Sequence, residues 1–161
     1  MSNSKSKSKS KSEAERLQRL LFEKLFASSI NGDLESVKRL VRIRADVNRG
    51  HPEHGATPLY VASQEGHIEV VRFLVSSNAD INKADNNGVT PLMIASQNGH
   101  LEVIQFLVSS NANINMVENN GRTSLMVASG NGHIDVVKLL LKNNAEIHKV
   151  AQNGATSLHV A

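Results

Sequence analysis

Histidine is the residue type in this sequence with the most chemistry to offer, because a neutral imidazole binds metal ions and titrates near neutral pH. There are seven of them. His67, His100 and His133 recur at a step of 33 residues. Elements stacked at that step would hold them about one helix-packing distance apart, roughly 10 Å. A single ion needs its ligands at about 2 Å, so the three are too far apart to share one. Each is expected to tie down a turn between helices instead. His51 and His54 flank Glu53 within one segment. Two imidazoles and a carboxylate could hold zinc, but a flexible loop is a poor cage for it. The expectation is no metal and no cofactor.

Other catalytic constellations are missing from the sequence. No nucleophile elbow, Walker loop or dinucleotide fingerprint occurs. The glycines fall at repeated turn positions and do not cluster as a phosphate cradle. Glu69, Glu102 and Asp135 occupy equivalent positions of successive repeats. Acid–base catalysis would need carboxylates that break the register and converge. The chain has no cysteine, which removes disulfides and thiolate ligands. It is expected not to be an enzyme.

The elements that carry these residues are set by an internal repeat. Thr57, Thr90, Thr123 and Thr156 follow one another at intervals of 33, each two residues after Gly55, Gly88, Gly121 or Gly154. Leu59, Leu92, Leu125 and Leu158 keep the same step, as do Ala62, Ala95 and Ala128. Thr57-Pro58 and Thr90-Pro91 read as helix starts, with a capping hydroxyl followed by a proline at the first helical position. Thr123-Ser124 and Thr156-Ser157 keep the cap without the proline. Gly66, Gly99 and Gly132 then end a short helix, and a second begins at the following histidine. Ile68, Val71, Leu74 and Val75 recur at helical spacing, as do Leu101, Ile104, Leu107 and Val108, and Ile134, Val137, Leu140 and Leu141. Asn78, Asn111 and Asn144 stand where a left-handed residue would stop that helix, and Arg44 holds the same place earlier. Asn87-Gly88 is a turn signal, so an extended, hairpin-like connection is expected. Neither helix could bury its stripe alone, whereas stacked neighbours would share one core.

The segments Gly-Ala-Thr-Pro-Leu-Tyr-Val-Ala at 55–62 and Gly-His-Ile-Glu-Val-Val at 66–71, at a step of 33, resemble the ankyrin repeat. The resemblance covers roughly residues 20–161. It implies an all-α repeat solenoid of helix-turn-helix units with projecting β-hairpin-like fingers. In this reading residues 1–12 form a disordered Ser/Lys tail and 13–48 an N-terminal capping unit. Three repeats follow at 49–82, 83–115 and 116–148, then a truncated one at 149–161. Ser12 and Glu15 suggest a capping box opening the first helix, which runs through Leu17, Leu20, Leu21 and Leu25. The loop 49–54 carries one extra residue. At the other end the stripe from Ile134 to Leu141 is expected to lack a full covering neighbour, as in a fragment of a longer protein.

Composition narrows the partners. Lys5, Lys7, Lys9 and Lys11 contribute four of the positive charges behind a formal net charge of +3, so the remainder sits at −1. A nucleic-acid surface should be basic in the folded part itself, so none is expected. No apolar run approaches the roughly 20 residues needed to span a bilayer. A monomeric protein of the cytoplasm, or of the nucleus, is expected, unless the open C-terminal end pairs. The Ser-Lys alternation reads as a solubilising leader, or as a switch whose charge serine phosphorylation would invert.

Binding is expected at loop and helix positions without packing duties. The resemblance implies the same surface: the finger edge and the outward side of the first helices. On the fingers these positions are Asn86, Asn87, Val89, Asn119, Asn120 and Arg122. On the helices they are Tyr60, Gln64, Glu65, Met93, Gln97, Asn98, Met126 and Asn131. Tyr60, Met93 and Met126 suit either adaptable apolar contact or packing within the helical stripe. Asn48, Asn82 and Asn115 each follow a leucine by eight residues. Similarity to ankyrin substrates of asparaginyl hydroxylases implies modification there, with loop hydrogen bonding as the simpler role. The implied function is a protein-binding adapter or scaffold, and the alternative is a recruitment arm of a larger enzyme or effector.

Overall fold

A computed structural model describes the backbone of residues 2–157 and the side chains of residues 12–157. Leu158, His159, Val160 and Ala161, where a further first helix is expected to begin, lie outside the described residues.

Eight helices occur among the described residues: α1 (Ser2–Ile30), α2 (Leu34–Arg42), α3 (Pro58–Gln64), α4 (Ile68–Ser76), α5 (Pro91–Asn98), α6 (Leu101–Ser109), α7 (Ser124–Gly130) and α8 (Ile134–Lys142). They pair in chain order. The first helices α1, α3, α5 and α7 pack in one row, and α2, α4, α6 and α8 in a second. This is an all-α repeat solenoid. The fingers contain no β-strand among the described residues. Each is a turn closed by two backbone bonds, as from Asp85 N–H to Val89 C=O at 3.0 Å and from Gly88 N–H to Asp85 C=O at 3.1 Å.

The repeated residues act where their chemistry places them. The hydroxyls of Thr57, Thr90 and Thr123 accept the backbone N–H of Tyr60, Met93 and Met126 at 3.1, 3.2 and 3.3 Å. Each satisfies an N–H that the helix cannot pair internally. Asn78, Asn111 and Asn144 have φ of 64°, 65° and 63°, and Arg44 has φ of 67°. These left-handed residues stop the second helices as expected. In α4, Val70, Val71 and Leu74 are buried, while Ile68 and Val75 are half-buried at the edges. One apolar core runs from Leu21 and Leu25 through Leu59, Leu92 and Leu125 to Leu140. Side chains of this kind contribute about 1.5–3 kcal/mol each on burial.

Both ends depart from the interior pattern. Backbone helix is continuous from Ser2, where a disordered tail through residue 12 and a helix start at Ser12 are expected from the sequence. Extending a helix already held by packing costs far less than nucleating one, and lysine is a good helix former. Leu21, Phe22 and Leu25 anchor α1 in the core, but Leu17 and Leu20 are 55% and 49% exposed. On α8, Ile134 and Leu141 are 66% and 43% exposed.

Candidate functional site

Three sets of polar side chains join the repeats to each other. The first is the histidine series. Nε2 of His67, His100 and His133 lies 2.8, 2.8 and 2.9 Å from the carbonyl oxygens of Ile30, Gln64 and Gln97. A carbonyl can only accept, so each Nε2 carries the proton and donates it. Each carbonyl belongs to the end of the first helix one unit earlier, where the helix leaves it unpaired. The histidines therefore clamp neighbouring units, beyond bracing their own turns.

The second set is Asn48, Asn82 and Asn115. Asn48 Oδ1 accepts the N–H of Asp80 at 2.7 Å and its Nδ2 donates to Asn78 C=O at 2.9 Å. Asn115 makes the matching pair with Glu146 N–H and Asn144 C=O, and Asn82 accepts the N–H of Asn113 at 2.8 Å. These amides hold the left-handed turn of the following unit. All three are half-buried, and loop hydrogen bonding is the role the geometry gives them.

The third set runs along the fingers. Asn86, Asn119 and Gln152 donate backbone N–H groups to the carbonyls of His54, Asn87 and Asn120. Their side-chain amides donate in parallel to Glu53, Asn86 and Asn119. Asn86 and Asn119, expected as partner contacts, thus spend their Nδ2 groups on tying one finger to the next.

The enlarged first loop is packed rather than open. His51 and His54 stack face to face with ring centroids 3.9 Å apart and planes 3° from parallel. His51 also rests on Phe26 at 5.3 Å. Nδ1 of each accepts a backbone N–H, from Glu53 and Ala56 respectively. Imidazole lone pairs lie in the ring plane, so parallel stacked rings do not aim them at one point. Among the described residues no group of three or more His, Asp or Glu is placed to hold a metal ion.

Side-chain exposure divides the expected binding residues. Tyr60, Met93 and Met126 are buried, at 8%, 3% and 4% exposure, so they cannot present a partner with contact area. Packing between successive first helices covers them, because α3, α5 and α7 stack directly on one another. Burial, with the Asp85 carboxylate as a second cause, pushes the Tyr60 phenol up to about 12. Gln64 and Val89 are half-buried, and Gln64 Nε2 donates to Glu65 Oε1 at 3.0 Å. Asn98 donates to Gln64 C=O and Asn131 to Val127 C=O. Glu65, Asn87, Gln97, Asn120 and Arg122 remain exposed.

Sequence reasoning missed Glu118. It is 6% exposed inside the third finger and accepts from Arg122 Nε and, at 3.4 Å, from Asn120 Nδ2. The bond to Glu118 holds the Arg122 pKa above its usual value. The available signal was the register: Glu118 stands where Asp85 stands. Asp85 satisfies its own finger by accepting the N–H groups of Asn87 and Val89. The longer glutamate reaches the guanidinium instead and fixes its direction.

No helix among the described residues is long and apolar enough to cross a membrane. Comparison with curated proteins gives no match. Two family models do match: ankyrin repeats (3 copies) over residues 25–118, and ankyrin repeats (many copies) over residues 98–141. Ankyrin repeats are generally protein–protein interaction modules, and their domains are typically non-catalytic. The clamps described above are the joints of such an array, and the chain belongs to the ankyrin repeat family.

Proposed function

We propose that the chain is an adapter that holds an extended or loop segment of another protein along its finger edge and the exposed ends of its first helices. One observation carries this reading. In register, the core leucines keep their residue type while exposed positions at the ends of the first helices change. Leu59, Leu92 and Leu125 are identical, whereas the exposed Glu65, Asn98 and Asn131 differ in charge. A surface freed from packing and individually varied suits recognition.

Amides dominate the surface, and Arg122 is its oriented cation. Such a surface favours hydrogen bonding to a partner's backbone and a bond to a carboxylate over long-range charge capture. The test is affinity capture from cell lysate with wild type and with the triple variant Asn87→Ala, Gln97→Ala, Arg122→Ala, at matched helicity and melting temperature. Proteins held by wild type and lost by the variant support the reading. Identical sets of captured proteins would move the binding surface elsewhere.

A further inference from the structure

The first unit departs from the others along its outer edge. In the common register of α2, α4, α6 and α8, Arg39 stands where Phe73, Phe106 and Leu139 stand. Ile43 stands where Ser77, Ser110 and Asn143 stand. A charge in place of a large apolar side chain suits an end unit, since no earlier helix pair covers that side of α2 among the described residues. The same logic calls for a polar residue at position 43. The chain has isoleucine there, 60% exposed. Solubility does not account for it.

Ile43 lines a groove of about 610 Å³ between α1 and α2. Leu40 and Ala27 line it with Ile43, and Lys24, Arg39 and Arg42 add positive charge. On α1 the spacings from Leu17 to Leu20, Lys24 and Ala27 are three, four and three, so the exposed leucines extend the same helix face. The carboxylates nearby have closer partners than these cations, although, behind Lys38, Arg42 and Arg39 also help to hold the Glu35 carboxyl below its ordinary value. Glu35 pairs with Lys38 at 2.8 Å and Glu23 with Arg19 at 3.2 Å, while Asp33 accepts the N–H of Ser36. Lys24, Arg39 and Arg42 enter no salt bridge among the described residues, and Arg39 Nη2 donates to Ser36 Oγ at 3.0 Å.

We propose that this groove is a second protein-binding surface, and that it takes an amphipathic helix with an apolar stripe and an acidic flank. Apolar anchors spaced along one helix face would fill the groove, and the cations would fix the register of the flank. Neither the N-terminal segment nor a second copy supplies that acidic flank. The chain's own first dozen residues carry four lysines and no acid, and a second copy would bring the same cations. This surface is separate from the finger edge and does not depend on the adapter reading.

Fluorescence anisotropy of labelled peptides against the full chain tests it. One peptide carries Leu at i, i+3, i+4 and i+7 with Glu on the flank; a second carries Lys in place of Glu; a third is a scramble of the first. The acidic amphipathic peptide is expected to bind saturably, more weakly as salt rises. Arg39→Glu with Arg42→Glu should weaken it at least tenfold, roughly the loss of one charge-assisted contact. Asn87→Ala with Gln97→Ala should leave it unchanged. If the double charge reversal unfolds the cap, Lys24→Glu takes its place. Four results overturn the proposal: no binding by wild type, equal binding of the lysine or scrambled peptide, unchanged affinity in folded charge-reversal variants, or self-association through this face. Co-sedimentation with phosphatidylserine–phosphatidylcholine vesicles in the absence of peptide binding would overturn it too.

Discussion

His100 Nε2 stands 2.8 Å from the carbonyl oxygen of Gln64, thirty-six residues earlier. The bond closes one unit's first helix with a side chain from the next, so stacking and helix termination are a single event. His100→Ala removes one of the two donors to this carbonyl and leaves it to Asn98 Nδ2 at 2.8 Å. The expected cost is about 0.5–1.5 kcal/mol, seen as a lower denaturant midpoint at unchanged slope. An unchanged midpoint would mean that water replaces the imidazole without loss.

The clamping rings also explain a difference among three glycines. Gly66, at φ +76°, would place an added Cβ 2.7 Å from His100 Nδ1, and Gly99, at φ +75°, 2.6 Å from His133 Nδ1. Gly132, at φ +72°, would place one in open space. Gly132→Ala should therefore cost only the left-handed penalty, about 1 kcal/mol. Gly99→Ala adds a clash and should cost at least about 1 kcal/mol more. Paired thermal melts check this, and equal losses would show that the rings move aside freely.

Arg44 is left-handed at φ 67° and exposed; its N–H donates to Val41 C=O at 2.9 Å and its carbonyl accepts from Gln18 at 3.3 Å. Arg44→Gly keeps that carbonyl and removes the Cβ penalty. Part of the gain is offset by greater freedom in the unfolded chain. The net expectation is stabilisation of about 1 kcal/mol, measured as a raised melting temperature.

Tyr60 is the only tyrosine, and the chain has no tryptophan, so ultraviolet titration reads it alone. Its phenol should ionise near 12 in the folded chain, from an ordinary value of 10. For an acid raised by folding, the neutral form is the stabilised one. The contribution is therefore whole below pH 10 and is lost as pH rises from there toward 12. A midpoint near 10 under folding conditions would mean that the ring opens to solvent.

The repeat was legible because burial repeats. Thr57, Thr90 and Thr123 cap helices whose starts the Thr-Pro and Thr-Ser pairs announce, and left-handed Asn78, Asn111 and Asn144 end them. The candidate surface was legible only in outline. Position in the register separates first helix from finger, but it does not say which polar groups are already paired. Asn86 and Asn87 are adjacent, both exposed and alike in type, yet Nδ2 of Asn86 bonds the previous finger.

Local chemistry in the sequence alone determined the helix starts, the left-handed stops, the period and the family. Those follow from interactions within a few residues, repeated until chance is excluded. Tertiary structure decided which unit each histidine clamps, that Tyr60, Met93 and Met126 are buried, and that Arg122 is held by a buried Glu118. It also decided that Ile43 joins α1 to form a groove. Each of these depends on the distance and angle between successive units, about one helix-packing distance apart in space but 33 residues apart in the chain. Spacing along the chain carries no measure of that angle.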